Sequence, residues 1–346
     1  MKYKQIVVTK RGRPENLQIT ECDLRDPAAR EVRVKVLATC VCLPDVQNRY
    51  GLSPFAPKVP FVPGYTIVGV VDAIGPRVTH TTQGAQVAGY LMRGGYAEYV
   101  YLRESLIIPV PPSLHPAEAV TLLLNYVTAY QALHRTAKVR AGQKVLIIGA
   151  SGGCGTALLQ LGRLAGLTMY GIASLSKHST LTECGATPID YHSQDFVEVM
   201  RRAEPGGLDS IFDGMGGDYI ERAFPLLQRG GVLVEYGNPL SVRGLLRVFA
   251  KLIKLNLLPN GRRMKLYGAG TVLFNRKPFL EDWAILFRLL QEGKIRPVIS
   301  GVFPLLDAAR ANALLESGQV VGNLVLVAPE LLEASRKLEA GSRPPG

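Results

Sequence analysis

The segment from Val145 to Thr156 constrains the fold of this chain more than any other. It reads Val-Leu-Ile-Ile-Gly-Ala-Ser-Gly-Gly-Cys-Gly-Thr, so a short apolar run enters a cluster of glycines. An amphipathic stretch follows, and a second apolar run begins at Thr168. Strand, glycine turn, helix and strand in this order predict a dinucleotide-binding unit. Because glycine has no side chain, the backbone of the turn can approach a pyrophosphate closely. The helix N-terminus offers the pyrophosphate free N–H groups and a partial positive charge.

The end of the second strand indicates which dinucleotide binds. NAD-preferring sites place an Asp or Glu about 20 residues after the glycines, to hold the ribose 2′-OH. Here the corresponding stretch reads Ala-Ser-Leu-Ser-Lys-His over 173–178, and no Asp or Glu occurs within 119–182. The Ser174 hydroxyl and the Lys177 cation suit a 2′-phosphate, so we expect NADPH. The alternative is that Lys177 and His178 are merely solvated residues at a helix start.

Composition excludes several classes of protein. The 346 residues are 47% hydrophobic and 20% charged, which suits two domains with sizeable cores. We find no apolar run of about 20 residues and no signal-peptide pattern. The five scattered cysteines argue against a disulfide framework, and we expect a cytoplasmic protein. The net charge of +12 comes without an aromatic-interleaved basic stripe, so we expect no nucleic-acid partner.

Two patterns of periodicity divide the chain. Up to about Pro116, short apolar runs broken by Gly and Pro predict an antiparallel, barrel-like β domain. From about Ala117, strands and helices alternate, which predicts an α/β fold with a doubly wound parallel sheet. The predicted parallel strands are 144–149, 168–173, 187–190, 208–212, 231–236 and 265–269. The predicted domains are a discontinuous β domain at 1–118 and 295–328, a nucleotide-binding domain at 119–294 and a flexible tail at 329–346.

The glycine turn supplies the first candidate cofactor residues. These are Ala150, Ser151, Gly152, Gly153, Cys154 and Gly155. Gly237 and Asn238 follow the fifth predicted strand at its carboxyl end, where ligands bind in open α/β sheets. The alternative for the first group is a plain tight turn.

Several motifs resemble those of the medium-chain dehydrogenase/reductase superfamily. They are Pro63-Gly64 before Ile-Val-Gly-Val-Val, the stretches 94–100 and 125–130, the glycine turn, and Val-Gly-Asn-Leu-Val-Leu at 321–326. The segments 173–178 and 188–192 resemble zinc-independent quinone oxidoreductases, in the branch of the vesicle amine transport protein homologues. The resemblance implies a Rossmann sheet plus a GroES-like β-barrel catalytic domain, and an NADPH-dependent reductase of quinones or α,β-unsaturated carbonyls.

The zinc positions of the superfamily are replaced in this chain. Zinc alcohol dehydrogenases carry Cys-His-Ser/Thr-Asp and Gly-His-Glu, whereas this chain reads Cys42-Leu-Pro-Asp45 and Gly64-Tyr65-Thr. Leu124 stands where the third ligand would be. Catalytic zinc needs three protein ligands, so we expect no metal. Without zinc, a quinone or enone is an easier acceptor than a simple ketone, because one hydrogen-bond donor can stabilise the delocalised charge on its oxygen.

Two tyrosines are the candidate catalytic donors to that oxygen. Tyr65 occupies the position of the metal-binding histidine, and the resemblance places Tyr50 on a loop that lines the substrate cleft. The alternative is that both tyrosines form an apolar wall and water supplies the proton. Gln47 and Ser53 stand where related quinone oxidoreductases often have tyrosines.

The resemblance also implies further cofactor contacts. Asn125 and Thr128 would begin a helix near the nicotinamide ribose, and Asn323 would lie beside the nicotinamide. Tyr191 would flank the adenosine phosphate. The alternatives are N-capping by Asn125 or Thr128 and ordinary packing of Tyr191.

A basic amphipathic segment spans 241–255. Its cations Arg243, Arg247, Lys251 and Lys254 repeat at helical spacing. Such a helix can lie on an anionic membrane, but a surface helix that caps the cleft or contacts a second copy is the commoner case. We expect a homodimer that acts on a small-molecule substrate, with at most weak contact with anionic membranes. A lipid- or membrane-associated protein with little catalysis and an enoyl-thioester reductase stay open as alternatives.

Overall fold

The computed structural model describes residues 1–237 and 239–340. The chain forms two compact units. The first unit comprises Met1–Leu124 and Trp283–Gly346, and the second comprises Asn125–Asp282. The sequence places these boundaries elsewhere, at 118/119 and 294/295, because each structural boundary falls inside a helical segment where no turn residue marks it.

Strands and helices occur along the whole of the described chain. The strands are β1 (Lys2–Val8), β2 (Leu17–Asp23), β3 (Glu31–Val41), β4 (Thr66–Ile74), β5 (Gln86–Tyr90), β6 (Tyr99–Arg103), β7 (Ile107–Pro109), β8 (Lys144–Ile148), β9 (Thr168–Ala173), β10 (Ala186–Asp190), β11 (Leu208–Asp213), β12 (Leu227–Glu235), β13 (Arg263–Leu266), β14 (Ile299–Pro304) and β15 (Asn323–Val327). The helices are α1 (Leu43–Tyr50), α2 (Pro116–Thr121), α3 (Val127–Tyr130), α4 (Gly153–Leu164), α5 (His178–Glu183), α6 (Phe196–Ala203), α7 (Tyr219–Ala223), α8 (Val242–Leu257), α9 (Lys277–Gln291), α10 (Ala308–Glu316) and α11 (Leu332–Ala340).

The first unit is built on a mostly antiparallel sheet. Its strands follow the order β14-β15-β3-β4-β5-β7, and β6 also pairs with β3. The long strand β3 alternates buried Val32, Val34 and Val36 with the partly exposed Arg33 and Lys35. This period of two places the valines in one apolar core. The antiparallel β domain predicted from the sequence is confirmed.

The second unit contains a six-stranded parallel sheet in the order β10-β9-β8-β11-β12-β13. Counted from β8, this order is 3-2-1-4-5-6, the arrangement of dinucleotide-binding sheets. The order reverses between β8 and β11, and ligands bind at such a switch point outside the carboxyl ends of the strands. The predicted doubly wound sheet is confirmed, and all six predicted strands overlap the observed ones.

Helix α9 crosses the boundary between the two units. Its first part is held in the second unit by Asp282, a buried carboxylate. Asp282 accepts hydrogen bonds from Arg135 Nε and Nη2, both at 2.7 Å, and from Gln131 Nε2 at 2.6 Å. A forked guanidinium–carboxylate pair of this kind fixes direction as well as distance.

The segment after Pro329 differs from the flexible tail expected at 329–346. Residues Leu332–Ala340 form α11, which packs against β14 and buries Ser335. The Gly- and Pro-rich end at 341–346 lies outside the described residues. Within the described part of the chain, no helix combines the length and apolar character needed to cross a bilayer.

Candidate cofactor and substrate sites

The glycine turn of the second unit connects β8 to α4 at the point where the strand order reverses. Gly149 takes φ of +80°, a conformation that side chains other than glycine rarely adopt. The turn closes when Gly152 N donates to Gly149 O at 3.2 Å. Gly152 is the N-cap of α4 and has no side chain with which to cap it, so the turn presents backbone at the helix N-terminus. This arrangement fits a pyrophosphate.

Gly155 lies in the first turn of α4 and packs directly on the glycine turn. A Cβ atom there would lie 2.3 Å from Gly149 O and 2.5 Å from both the carbonyl carbon and oxygen of Ala150. Only glycine therefore lets α4 approach β8 this closely. This is the role of the third glycine in dinucleotide-binding turns.

Asn125 and Thr128 lie inside a helical run and not at its start. The run continues from α2 through a π-helical turn at Leu122–Tyr126 into α3, so N-capping by either residue is excluded. The structure brings Asn125 to the glycine turn, where Cys154 Sγ donates to its Oδ1 at 3.4 Å. Thr128 is buried and hydrogen-bonds to Tyr267. π-Helical turns often occur at functional sites.

Ser174 and Lys177 share a tight turn after β9. Lys177 N donates to Ser174 O at 2.9 Å, and the hydroxyls of Ser174 and Ser176 lie 3.5 Å apart. The Lys177 side chain is half-buried, and this burial lowers the pKa of its ammonium group. A bound anion would stabilise a cation in that environment.

The neighbouring strand end carries an acid, Asp190, paired in register with Ala173. Its Oδ1 accepts from His192 N at 3.2 Å and its Oδ2 from Ser193 Oγ at 2.7 Å. Its own turn therefore engages both oxygens, and the hydrogen bond from Ser193 is the main reason that the pKa of Asp190 is lowered. Tyr191, next in the chain, is exposed, and its ring centroid lies 4.1 Å from that of His192.

Gly237 follows β12 and lies against the loop after β11. A Cβ on Gly237 would come within 2.9 Å of Gly214 O and 2.7 Å of Glu235 Oε1, so a larger residue does not fit. Asn238, the other candidate at this strand end, lies outside the described residues.

Sequence reasoning missed a pair of acids at these strand ends. Asp213 ends β11, Glu235 ends β12, and both side chains are buried. Their position was the available signal, because two acids close neighbouring parallel strands at the edge where ligands bind.

In the first unit, the carboxylate of Asp45 organises the region of the candidate catalytic tyrosines. Asp45 Oδ1 accepts from Gly64 N at 2.8 Å, and Oδ2 accepts from Cys42 N at 3.1 Å and Tyr96 Oη at 3.3 Å. These bonds tie the start of α1 to the turn before Tyr65. Complete burial nevertheless dominates and raises the pKa of Asp45 to about 7.

Tyr65 follows Gly64 and is held at both its backbone and its hydroxyl. Its carbonyl oxygen accepts from Leu91 N at 2.7 Å and Met92 N at 3.1 Å. Its hydroxyl oxygen accepts from Asn48 Nδ2 at 3.2 Å, a partner that sequence reasoning missed. Burial, with a smaller contribution from the nearby Asp45, raises the pKa of Tyr65 to about 12. The phenol is therefore neutral at physiological pH.

Tyr50 and Asn323 make different contacts. The Tyr50 hydroxyl donates to Glu316 Oε2 at 2.8 Å, and Glu316 also pairs with the buried Arg49. Asn323 is buried at the start of β15, where its Nδ2 donates to Val298 O at 2.9 Å. Tyr50 is the last residue of α1 and does not lie in the expected loop, and both side chains make contacts within the first unit.

The residues at the superfamily's zinc positions do not form a zinc donor set. Cys42 Sγ lies 3.8 Å from Cys40 O, and the neighbouring positions supply the neutral phenol of Tyr65 and the hydrocarbon of Leu124. Across 1–237 and 239–340, no three His, Cys, Asp or Glu side chains are placed to hold a metal ion. Zinc needs three such ligands and therefore does not fit here.

Comparison with known proteins identifies the family. The profile of the alcohol dehydrogenase GroES-like domain matches residues 28–112, and that of a zinc-binding dehydrogenase domain matches 184–326. A 2-haloacrylate reductase of a Burkholderia species is 31% identical over 93% of this chain and 98% of its own. The rat synaptic vesicle membrane protein VAT-1 homolog is 31% identical over 87% of this chain and 78% of its own.

A solved structure gives the same result. The quinone oxidoreductase of Escherichia coli, crystallised with NADPH, superimposes with a TM-score of 0.83 and 26% identity, over 94% of this chain and 99% of the other. The chain is therefore an oxidoreductase of the kind that uses a nicotinamide cofactor. It belongs to the zinc-independent, quinone-oxidoreductase-like branch of the medium-chain dehydrogenase/reductase superfamily.

The contact at Gly155 leads to a stability prediction. Gly155→Ala inserts a methyl group against Gly149 O and should lower the free energy of unfolding of the cofactor-free protein by about 1–3 kcal/mol. Urea denaturation followed by circular dichroism measures the change. Gly152→Ala is the matched control, since its Cβ would meet its nearest atom, Gly149 O, at 3.7 Å. Equal unfolding midpoints for the two variants would show that α4 does not depend on the close contact.

Proposed function

We propose that this protein is an NADPH-dependent reductase that transfers hydride to a quinone or an α,β-unsaturated carbonyl compound. The observation that carries the proposal is the acid-free end of β9, where Ser174 and Lys177 share one turn beside the glycine turn's strand. The names of two relatives, a quinone oxidoreductase crystallised with NADPH and a 2-haloacrylate reductase, support the same cofactor and an activated double bond as acceptor.

The cofactor contacts that we propose lie mainly in the second unit. Backbone groups of 150–155 would hold the pyrophosphate, and Ser174 and Lys177 would hold the 2′-phosphate. We propose further contacts at Asn125, Thr128, Tyr191, Gly237, Asn238 and Asn323. Asn125 is the best supported of these contacts, because its side chain accepts a hydrogen bond from Cys154 in the glycine turn.

Tyr65 is the catalytic residue that we propose for the substrate. NADPH, when bound, supplies the hydride. As hydride adds to carbon, negative charge develops on the acceptor oxygen, and the neutral Tyr65 hydroxyl can donate a hydrogen bond to it. Asn48 donates a hydrogen bond to Tyr65 Oη and so orients the phenol. The phenol O–H proton therefore stays available for a hydrogen bond to the acceptor oxygen. Tyr50 is a weaker candidate, because its proton is directed to Glu316.

Lys177→Ala tests the choice of cofactor. The variant should bind NADPH about 10–100-fold more weakly, since a hydrogen bond from a charged group contributes about 1.5–3 kcal/mol. Its affinity for NADH should change little, because NADH lacks the 2′-phosphate. Fluorescence titration of each dinucleotide gives both constants, and Arg201→Ala, on the exposed face of α6, is the control. Parallel losses for NADPH and NADH, or equal wild-type affinities, would contradict the assignment.

Tyr65→Phe tests the proposed donor. With saturating NADPH, kcat for an enone should fall about 100-fold, the typical effect of removing one donor to a developing oxyanion. NADPH affinity should stay unchanged. Tyr50→Phe compares the weaker candidate with Tyr65 and should keep most of its turnover, because the Tyr50 proton is directed to Glu316. An unchanged kcat for Tyr65→Phe across quinones, enones and enoyl thioesters would assign the proton to water. A preference of the wild-type protein for enoyl thioesters would change the proposed substrate class to the thioester alternative.

A second candidate function, association with an anionic membrane surface, is favoured by helix α8. One face of α8 carries a stripe of exposed apolar side chains at helical spacing: Val242, Leu246, Phe249, Ile253 and Leu257. The adjacent face carries the exposed cations Arg243, Arg247 and Lys254, while Val248, Leu252 and Leu255 pack inward. An apolar stripe beside a basic one suits insertion at a negatively charged lipid surface.

Vesicle flotation tests this second candidate. The protein should float with vesicles of phosphatidylcholine and phosphatidylserine, and not with phosphatidylcholine alone, because binding requires the negative charge. The double variant Leu246→Ser, Ile253→Ser should lose flotation, whereas Leu280→Ser, an exposed leucine on α9, should retain it. Loss of a dimer in the double variant, with no flotation of the wild type, would instead assign the stripe to the expected homodimer.

A further inference from the structure

The ends of two neighbouring strands in the second unit place two acids side by side. Asp213 and Glu235 are paired in register as the last residues of β11 and β12. Their side chains are 0% and 4% exposed, so both carboxyl groups are removed from water. The two groups are in hydrogen-bonding contact with each other.

One oxygen of each carboxyl group has backbone donors. Asp213 Oδ1 accepts from Met215 N at 2.8 Å and from Gly216 N at 3.0 Å. Glu235 Oε1 accepts from Gly237 N at 3.1 Å. The second oxygens, Asp213 Oδ2 and Glu235 Oε2, are also buried. If both groups are ionised, these oxygens have no hydrogen-bond donor within the described residues.

Two ionised carboxylates cannot hydrogen-bond to each other, because neither has a proton to donate. A single proton between them converts the repulsion into an O–H···O⁻ bond and satisfies both buried oxygens. The aspartic proteases keep a carboxyl pair in this state. Desolvation and the adjacent Asp213 raise the pKa of Glu235 to about 9, and desolvation raises the pKa of Asp213 as well.

The surrounding charges do not replace this proton. Lys251 on α8 is the cation facing the pair, but its Nζ donates to Gly217 O at 2.5 Å and pairs with Glu221 on α7 at 3.1 Å. Among the described residues, the phenols of Tyr219 and Tyr236 also face the pair, and both are neutral because burial raises the pKa of each. A proton is therefore the simplest neutralising group.

The pair is joined to the glycine turn through the loop after β11. Gly214 N donates to Ile148 O at 3.3 Å, and the Met215 side chain lies 3.5 Å from the position of a Cβ on Gly149. Gly216 and Gly217 both take φ of +65°, and Gly216 is held there by Asp213. The carboxyl pair thus fixes backbone on both sides of the sheet's switch point.

We propose that Asp213 and Glu235 share one proton at neutral pH, and that this shared proton holds the loop 214–217 and Gly237 in the position that admits the dinucleotide. The second half of the proposal rests on the cofactor site proposed above. The two acids act as positioning residues, since they work through backbone groups and not on the cofactor itself. Loss of the proton would leave two buried negative charges beside the site of a polyanion.

The sign of the pH effect follows from the extra proton. Between the ordinary pKa of a glutamate and about 9, the folded protein holds one proton that the unfolded chain has released. The stability that the pair contributes is therefore complete at low pH and is lost as pH rises through about 9. For one proton, the unfolding equilibrium constant rises about tenfold per pH unit.

Glu235→Gln tests the shared proton. Glutamine can donate its amide N–H to Asp213 Oδ2 at every pH, so it imitates the protonated glutamate without titrating. From about pH 6 to about pH 8, the ratio of the wild-type to the variant unfolding constant should rise about 100-fold in urea titrations of the cofactor-free protein. Asp45, whose pKa is also raised, is present in both proteins and cancels from the ratio.

Two further variants keep the test decisive. Asp213→Asn removes the shared proton from the other side and should show the same loss of pH dependence, so the test survives if one variant does not fold. Glu198→Gln, an exposed acid on α6, should keep the wild-type pH slope. Parallel slopes for wild type, Glu235→Gln and Asp213→Asn would overturn the shared proton.

NADPH titrations test the link to the site. The wild-type dissociation constant should rise up to about fourfold from about pH 7 to about pH 9.5, as a group of pKa about 9 loses its proton, whereas that of Glu235→Gln should stay nearly constant. Equal changes in both proteins would overturn the link to the loops. If neither protein binds NADPH while the unfolding slopes differ as expected, the cofactor assignment fails and the shared proton stands.

Discussion

The missing side chain at Gly155 is the constraint on which the second unit depends. Because no Cβ intervenes, α4 lies directly on the carbonyls of Gly149 and Ala150, and its N-terminus opens at the end of β8. Cys154, in the same first turn of α4, donates a hydrogen bond to Asn125 Oδ1. Since β8 is also the strand at which the sheet order reverses, one steric requirement fixes both the strand and the anion-binding end of its helix.

A buried carboxylate has the corresponding role in the first unit. Asp45 collects two backbone N–H groups and the Tyr96 hydroxyl, and so joins α1 to the turn that carries Tyr65. The residue that follows Gly64 in this turn is a tyrosine, so the bonds of Asp45 order a turn that carries a phenol.

The sequence predicted the second unit well because its signals are local. Strands β8 and β9 are short, mainly apolar runs, and the glycines at 149–155 mark the turn by composition alone. The same argument failed where contacts join distant residues. Neither Asn48 to Tyr65 nor Tyr50 to Glu316 has any periodic signature.

Two further differences also have physical reasons. Asn125 and Thr128 have the residue types of N-caps, but a π-helical turn continues the helix through Asn125, and α3 continues it through Thr128. The sequence predicts a flexible tail at 329–346, yet Leu332–Ala340 form α11, which buries Ser335 and packs against β14. In both cases tertiary packing overrides local preference.

The forked ion pair between Arg135 and Asp282 limits where the chain can be divided into its two units. Asp282 is bound to the second unit, while the very next residue, Trp283, belongs to the first and donates its indole N–H to Leu123 O at 3.2 Å. One continuous helix, α9, thus contributes its first residues to the second unit and its remaining residues to the first. A gene fragment cut at this boundary would sever the helix that stabilises both halves. Exchange of the nucleotide-binding half between relatives therefore has to carry the whole of Lys277–Gln291 with it.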